Sequence, residues 1–175
     1  MECRRNTMTV REGWKGRFLE DFEVGDVFHH ELGRTVLDAD NSWFTLLTQN
    51  SARLHFDEHY AAGTEFGRPL VNSCFTIALV TGQSVIDVSF NVKANLGWDE
   101  VRLPKPVFVG DTIYSSSHVL NRRESSSHPD AGIVEIETVG YNQDGTVVIR
   151  FRRTIMVYKR GMAPTAQRPI VDFAG

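Results

Sequence analysis

Six residues between positions 75 and 86 constrain the fold more than any other part of the chain. Phe75, Ala78, Leu79, Gly82, Val85 and Ile86 recur at steps of three and four, which lays one apolar stripe along a helix. Asn72 and Ser73 stand just before it, with side-chain oxygens suited to capping. Gly82 sits on the stripe, where it lowers helix propensity. Close approach to a sheet, where any Cβ would clash, is its expected reason. Beyond this helix the period changes from 3.6 to 2. Val107 to Asp111 leads into Thr112 to Leu120, and Val134, Ile136 and Thr138 alternate. Asp144-Gly145 gives the strongest hairpin signal, and Val147, Ile149, Phe151, Ile155 and Val157 continue the alternation beyond it. Arg122 to Asp130 is polar and Ser-rich and reads as a loop. One long apolar helix followed by a run of antiparallel strands predicts an α+β fold, with the sheet wrapped around a buried helix.

Upstream of the stripe the elements are shorter. Residues 1–20 read as a loose basic lead-in, ordered only if something docks it. Glu23 to Asp26 forms a turn, and Val27, Phe28 and His29 form a strand. Asp38 caps a helix over residues 39–48, with Trp43, Phe44 and Leu47 on one face. Asn50 to Phe56 is a short irregular link. Asp57 caps a second helix containing Tyr60 and Ala61, which Gly63 stops. The predicted organisation is a flexible segment at 1–20, one domain at 21–160 and an extension at 161–175.

Composition excludes several classes. With 175 residues the chain suits one domain, and 41% hydrophobic against 23% charged residues supports a real core. A net charge of −3 supplies no concentrated positive field, so neither nucleic acid nor an anionic membrane surface is an expected partner. The run Cys74 to Val80 is far shorter than the roughly 20 residues of a membrane span. Arg4, Arg5, Arg11, Lys15 and Arg17 punctuate a polar N-terminus with no apolar core, unlike a secretory signal. Cys3 and Cys74 make neither a disulfide framework nor a zinc spacing. A reduced, cytoplasmic protein without a metal is expected.

Candidate chemistry concentrates in Asn50-Ser51-Ala52-Arg53-Leu54-His55-Phe56-Asp57. Imidazole titrates nearest neutral pH, so a His in a tight link can serve as an acid or base. An amide five residues earlier reaches the same space if the link curls back. A second feature is Gly67 to Ser73, which precedes the apolar helix. The N–H groups and dipole of a helix N-terminus can hold a developing oxyanion, although Asn72 and Ser73 also suit plain capping. A third, Pro104 to Thr112, reads as a rigid lead into a strand.

These three features, in this order and spacing, resemble the R-specific enoyl-CoA hydratases, the MaoC-like dehydratases, over about residues 20–160. The stretches that carry the resemblance are Leu47 to Ala61, Phe66 to Ser73 and Pro106 to Thr112. Ala94-Asn95-Leu96-Gly97-Trp98-Asp99 and the Arg122 to Ser125 loop are similar to the mesaconyl-CoA hydratase (methylmalyl-CoA dehydratase) branch. The resemblance implies a single hotdog fold working as a homodimer or higher homo-oligomer. It implies His55 as acid/base and the Ser73 N–H as oxyanion donor. Asn50 falls where the family carries an Asp, and an Asn can orient a water but cannot take its proton. Ala52 and Arg53 replace a usual Asn and Pro, Ser73 replaces a usual Gly, and Asn72 replaces a common His.

The implied activity is reversible hydration of an enoyl-CoA thioester, with a short methyl-branched dicarboxylic acyl group. Asn72, Arg53 and Val71 are the expected substrate-binding residues, with Arg123 a second candidate partner for a carboxylate. No cofactor or metal is expected, because the thioester already activates the double bond. Two alternatives share the fold. One is a non-catalytic acyl-CoA-binding protein, which the loss of the Asp would allow. The other is a thioesterase, which would need a carboxylate on the central helix, and Ser73 to Ile86 contains none.

Overall fold

The computed structural model describes residues 9, 11–166 and 169. The expectations for Cys3, for the basic residues Arg4 and Arg5 and for most of the last nine residues lie outside these described residues. Elements run β1 (Val27–His29), β2 (Arg34–Thr35), α1 (Asp38–Leu47), α2 (Glu58–Ala62), α3 (Ser73–Gln83), a π turn (Val85–Ser89), β3 (Val92–Arg102), β4 (Thr112–Glu124), β5 (Ala131–Tyr141) and β6 (Val147–Tyr158). The sheet is antiparallel in the order β1-β4-β5-β6-β3, and β2 pairs with the start of β4.

Local chemistry accounts for most of these boundaries. The Asp57 carboxylate accepts from the Tyr60 N–H at 2.9 Å and starts α2, and Gly63 closes it. Asn72 Oδ1 accepts from the Cys74 N–H at 2.9 Å and starts α3. Gly145 turns the β5–β6 hairpin with φ +75°, which glycine adopts without strain. Asn142 Oδ1 accepts from the Asp144 and Thr146 N–H groups and ties that loop. At α1 the cap is Leu37, and Asp40 reaches back to its N–H at 2.9 Å; Asp38 lies inside the helix. β4 runs on to Glu124, so Arg122 to Glu124 are strand rather than loop. Val92–Arg102 forms a whole edge strand that carries no clear alternation in the sequence.

The central helix is turned differently from its expected orientation. Thr76, Val80, Ser84, Val88 and Ser89 face the sheet, while Ala78, Gly82, Val85, Ile86 and Phe90 are exposed. Phe75 and Leu79 are half-buried beside the core. A Cβ at Gly82 would meet nothing within 4 Å, so the expected close approach does not occur there. It occurs at Gly140 on β5, where a Cβ would come within 2.7 Å of both Val80 and Ile149. The sheet beneath the helix explains the inversion. Two apolar clusters, one around Leu19, Phe22 and Val88 and one around Val80, Ile113 and Phe151, flank polar groups on β4, β5 and β6.

Arg153 on β6 is 3% exposed, and its Nη2 donates to Ser84 Oγ at 3.1 Å and Ser89 Oγ at 3.4 Å. In an α-helix five residues turn about 500°, which would put these serines on different sides. The π turn, with its i to i+5 repeat, brings both to one guanidinium. Burial lowers the Arg153 pKa to about 10. Nearby His30 is buried, with Nδ1 against Asp87 Oδ2 at 2.9 Å and Nε2 against Ser117 Oγ at 2.9 Å. Ser117 continues to Thr138 Oγ1 at 2.9 Å.

The N-terminal lead-in is docked on the end of this helix. Trp14 Nε1 donates to the Ile86 carbonyl at 3.2 Å, and Arg17 donates to Asp87 Oδ1 at 3.0 Å. Asn91 Nδ2 donates to the Lys15 and Arg17 carbonyls. Contacts to the domain therefore begin ahead of residue 20.

Candidate active site

One buried amide organises the candidate site. Asn41 on α1 is fully buried, and its Nδ2 donates to the His55 carbonyl at 2.7 Å and the Leu70 carbonyl at 3.2 Å. Its Oδ1 accepts from the Asn72 N–H at 2.9 Å. Three separate segments, the His55 turn, the link at Leu70 and the start of α3, are thus tied to a single side chain. Sequence reading missed Asn41. The signal is there, because Asn41 and Thr45 recur at i and i+4, but Trp43, Phe44 and Leu47 mark a competing apolar face of α1. In the structure Asn41 and Thr45 are buried, whereas Trp43 is 82% exposed.

His55 ends a 3₁₀ turn that begins at Arg53. Its Nδ1 lies 2.8 Å from the Leu70 carbonyl. A carbonyl only accepts, so Nδ1 carries the proton and Nε2 carries the lone pair. Nε2 has no partner among the described residues, which leaves it available as a base. Asn50 Oδ1 accepts from the Ala52 N–H at 2.9 Å, curling the link back. Its Nδ2 has no partner among the described residues and can donate to a water.

The third group is the Ser73 N–H, the first of α3. Asn72 Oδ1 takes the next N–H, that of Cys74, and the Thr76 N–H bonds the Asn72 carbonyl. The Ser73 N–H has no acceptor among the described residues, as expected for one of the orphan donors of a helix start. Ser73 lines a cavity of about 220 Å³ with Phe66, Leu70, Val71, Thr76 and Lys105. His55 and Asn50 do not line this cavity within one chain; Leu70, whose carbonyl holds His55, does.

The remaining expected residues take different places. Val71 is buried, lines the cavity and donates its N–H to the Val107 carbonyl at 2.9 Å. Asn72 is 2% exposed, and its side chain caps α3 and donates to Thr45 Oγ1 at 3.1 Å, so it braces the site from behind. Arg53 pairs with Asp57 at 2.7 Å and lies over the Tyr60 ring at 4.9 Å. The Tyr60 N–H, followed by the Arg53 guanidinium, holds the Asp57 carboxyl below the usual carboxylate range. Arg53 thus already has a carboxylate partner, with its side chain 60% exposed. Arg123 pairs with Ile133 near the far end of β4. At about 3.3 Å per residue it lies roughly 36 Å along the strand from Thr112, so within one chain it does not reach the site. Among the described residues, no group of three or more His, Cys, Asp or Glu is placed to hold a metal ion, and no helix is long and apolar enough to cross a membrane.

Comparison with known proteins places this geometry in a family. Residues 5–168 match the mesaconyl-CoA hydratase family. Mesaconyl-CoA hydratase of Cereibacter sphaeroides is 35% identical over 91% of this chain and 47% of its own length. Beta-methylmalyl-CoA dehydratase of Chloroflexus aurantiacus is 32% identical over 88% of this chain and 43% of its own length. The chain thus spans about half the length of these curated relatives. A Mycobacterium tuberculosis protein with a double hotdog fold superposes with a TM-score of 0.76, covering 91% of this chain and 49% of that one at 24% identity. One antiparallel sheet wrapped around one helix is a single hotdog unit, and with its sequence matched almost end to end the chain belongs to the mesaconyl-CoA hydratase family.

Proposed function

We propose that the protein is an acyl-CoA hydratase/dehydratase that adds water reversibly to a short, methyl-branched, dicarboxylic enoyl-CoA thioester. The observation that carries this reading is His55. Asn41 and Leu70 fix its tautomer and position while leaving Nε2 free. Family membership and the names of the relatives support the acyl group and the reaction.

In the hydration direction a water donates one proton to His55 Nε2 as its oxygen bonds the β-carbon. The electron pair of the double bond moves onto the thioester carbonyl, and the Ser73 N–H stabilises the resulting enolate. The imidazolium then returns its proton to the α-carbon, so the elements of water have been added and the base is regenerated. Asn50 Nδ2 orients the attacking water. General acid–base catalysis supplies about 10²–10⁴-fold and one oxyanion donor about 10²–10³-fold.

A second hotdog unit completes this reading, supplied in a homodimer by a second copy of the chain. Exposed Ala78, Val85, Ile86 and Phe90 on the helix, and exposed Leu96 and Trp98 on edge strand β3, are apolar surface that solvent would penalise. The exposed free thiol of Cys74 fits a reducing, cytoplasmic setting.

Mesaconyl-CoA, methylmalyl-CoA and crotonyl-CoA, each followed by the absorbance of the conjugated thioester, test the proposal. Change in that absorbance without release of free CoA thiol is the expected result. Thiol release would mean hydrolysis. A raised melting temperature with neither change would mean an acyl-CoA-binding protein. Sedimentation at micromolar concentration tests the dimer, and an active monomer would overturn it.

A further inference from the structure

We infer that Lys105 is the specificity residue that receives the free carboxylate of a diacid thioester. The inference rests on the acyl-CoA reading above and deepens it. A dicarboxylic acyl group needs a cation near the oxyanion donor, and neither Arg53 nor Arg123 supplies one. Arg53 is committed to Asp57 and Tyr60, and Arg123 lies far along β4. Arg68 is stacked 3.9 Å from the centre of the Phe108 ring.

Lys105 differs from all three. It lines the same 220 Å³ cavity as Ser73, which none of the three does, and like Arg68 and Arg123 it has no ion pair among the described residues. Backbone pairing explains its position. Leu70 bridges Phe108 in antiparallel sense, and the Val71 N–H bonds the Val107 carbonyl at 2.9 Å. Two residues beyond that pairing on each segment, Ser73 and Lys105 line the same cavity. Pro104 and Pro106 flank Lys105. The residue before a proline is held in extended conformation, and each proline ring fixes its own φ. The Lys105 backbone is therefore stiff, and its exposed side chain lines the cavity beside the helix start. Of the other walls, Phe66, Leu70, Val71 and Val107 are apolar and Thr76 is uncharged, so an ionised acyl end has Lys105 as its counter-charge there. The volume falls below the roughly 300–1,000 Å³ of drug-sized pockets, which fits a short diacid.

Binding of saturated thioesters, which cannot be hydrated, tests Lys105 independently of turnover. Succinyl-CoA carries the free carboxylate and butyryl-CoA lacks it. Calorimetry on wild type should give tighter binding of succinyl-CoA, with the preference shrinking as salt rises. Lys105→Met keeps the aliphatic stem and should reduce the ratio of the two affinities at least tenfold. Lys105→Arg should keep that ratio within threefold, and Lys105→Glu should reverse it. Equal weakening of both esters would mean that Lys105 holds the CoA portion, and would overturn the inference. An unchanged ratio with no weakening would overturn it equally. Absence of turnover in the hydration assay, with the binding ratio behaving as stated, would defeat the hydratase reading and leave the Lys105 assignment standing.

Discussion

The N-terminal end of α3 leaves polar groups open to solvent, whereas the π turn at its other end gathers polar groups into a buried network. Around Ser73, a backbone N–H and the Nε2 of His55 have no partner among the described residues. Around Asp87, one carboxylate takes Arg17 at 3.0 Å and His30 at 2.9 Å, and the chain of bonds runs on through Ser117 to Thr138. That network is incomplete: among the described residues Arg153 Nε, Ser115 Oγ, Gln83 Oε1 and Thr81 Oγ1 are buried without a partner. A buried polar group left unsatisfied costs about 1–3 kcal/mol. A donor or base open to water escapes that cost and stays available to a ligand, whereas a buried network contributes through the bonds it does close. The difference assigns activity to one end of the helix and stability to the other, and substitutions at the two ends should separate the two properties.

The largest expected effect is at the open end. His55→Ala should lower kcat/KM for the enoyl-CoA substrate by about 10²–10⁴-fold. It removes one hydrogen bond, to the Leu70 carbonyl, so stability should fall by only about 1 kcal/mol. Steady-state kinetics and thermal unfolding of the same preparation check both halves. Near-wild-type turnover, or unfolding at ordinary temperature, would erase the contrast and make His55 structural.

Asp87→Ala is the counterpart at the closed end. It leaves the Arg17 guanidinium and buried His30 without their shared carboxylate. Hydrogen bonds to charged groups contribute about 1.5–3 kcal/mol, and part of Asp87 faces solvent, so a loss of about 2 kcal/mol is expected. For a chain of this size that lowers Tm by about 4–8 °C. Turnover of the folded variant should stay within a few-fold of wild type. A 10²-fold loss of kcat with unchanged Tm would place Asp87 in the chemistry and dissolve the distinction between the ends.

Much of the open end was legible in the sequence because its signals are local. Asp57 as a cap, Gly63 as a stop and the Asp144-Gly145 hairpin each act within four residues. His55 stood out from its place in a short polar link. The closed end was not legible, since His30, Asp87, Ser117 and Arg153 come from four distant segments. The same reason hid the true inner face of α3. Hydrophobic periodicity identifies a stripe, but tertiary context decides whether sheet or another surface covers it, and here the sheet side carries Arg153, Ser117 and Thr138. Asn41 was missed because a buried Asn looks, in sequence, like the solvent side of a helix. Strand β3 was missed because an edge strand with three register shifts has no clean alternation.

The smallest expected effect sharpens the account of the closed end. Burial pushes the His30 pKa below its ordinary value of 6.5, and the charges of Arg153 and His29 push the same way. The hydrogen bond and charge of Asp87 oppose this without overcoming it. Folded His30 therefore resists a proton that the unfolded chain accepts near 6.5. Where the unfolded state binds more protons, stability rises with pH. The contribution of His30 is thus fully present above about pH 6.5 and is lost progressively as pH falls below it, towards the depressed folded value. His30→Gln keeps a polar group in the same space and cannot titrate. Denaturant unfolding of wild type and variant at about pH 7 and about pH 5 isolates this one group, because every other carboxylate and histidine is common to both chains. Wild type should lose more stability than the variant on acidification. If wild type instead gains on the variant as pH falls, His30 is charged in the folded state, and the His30–Asp87 contact is an ion pair that outweighs burial.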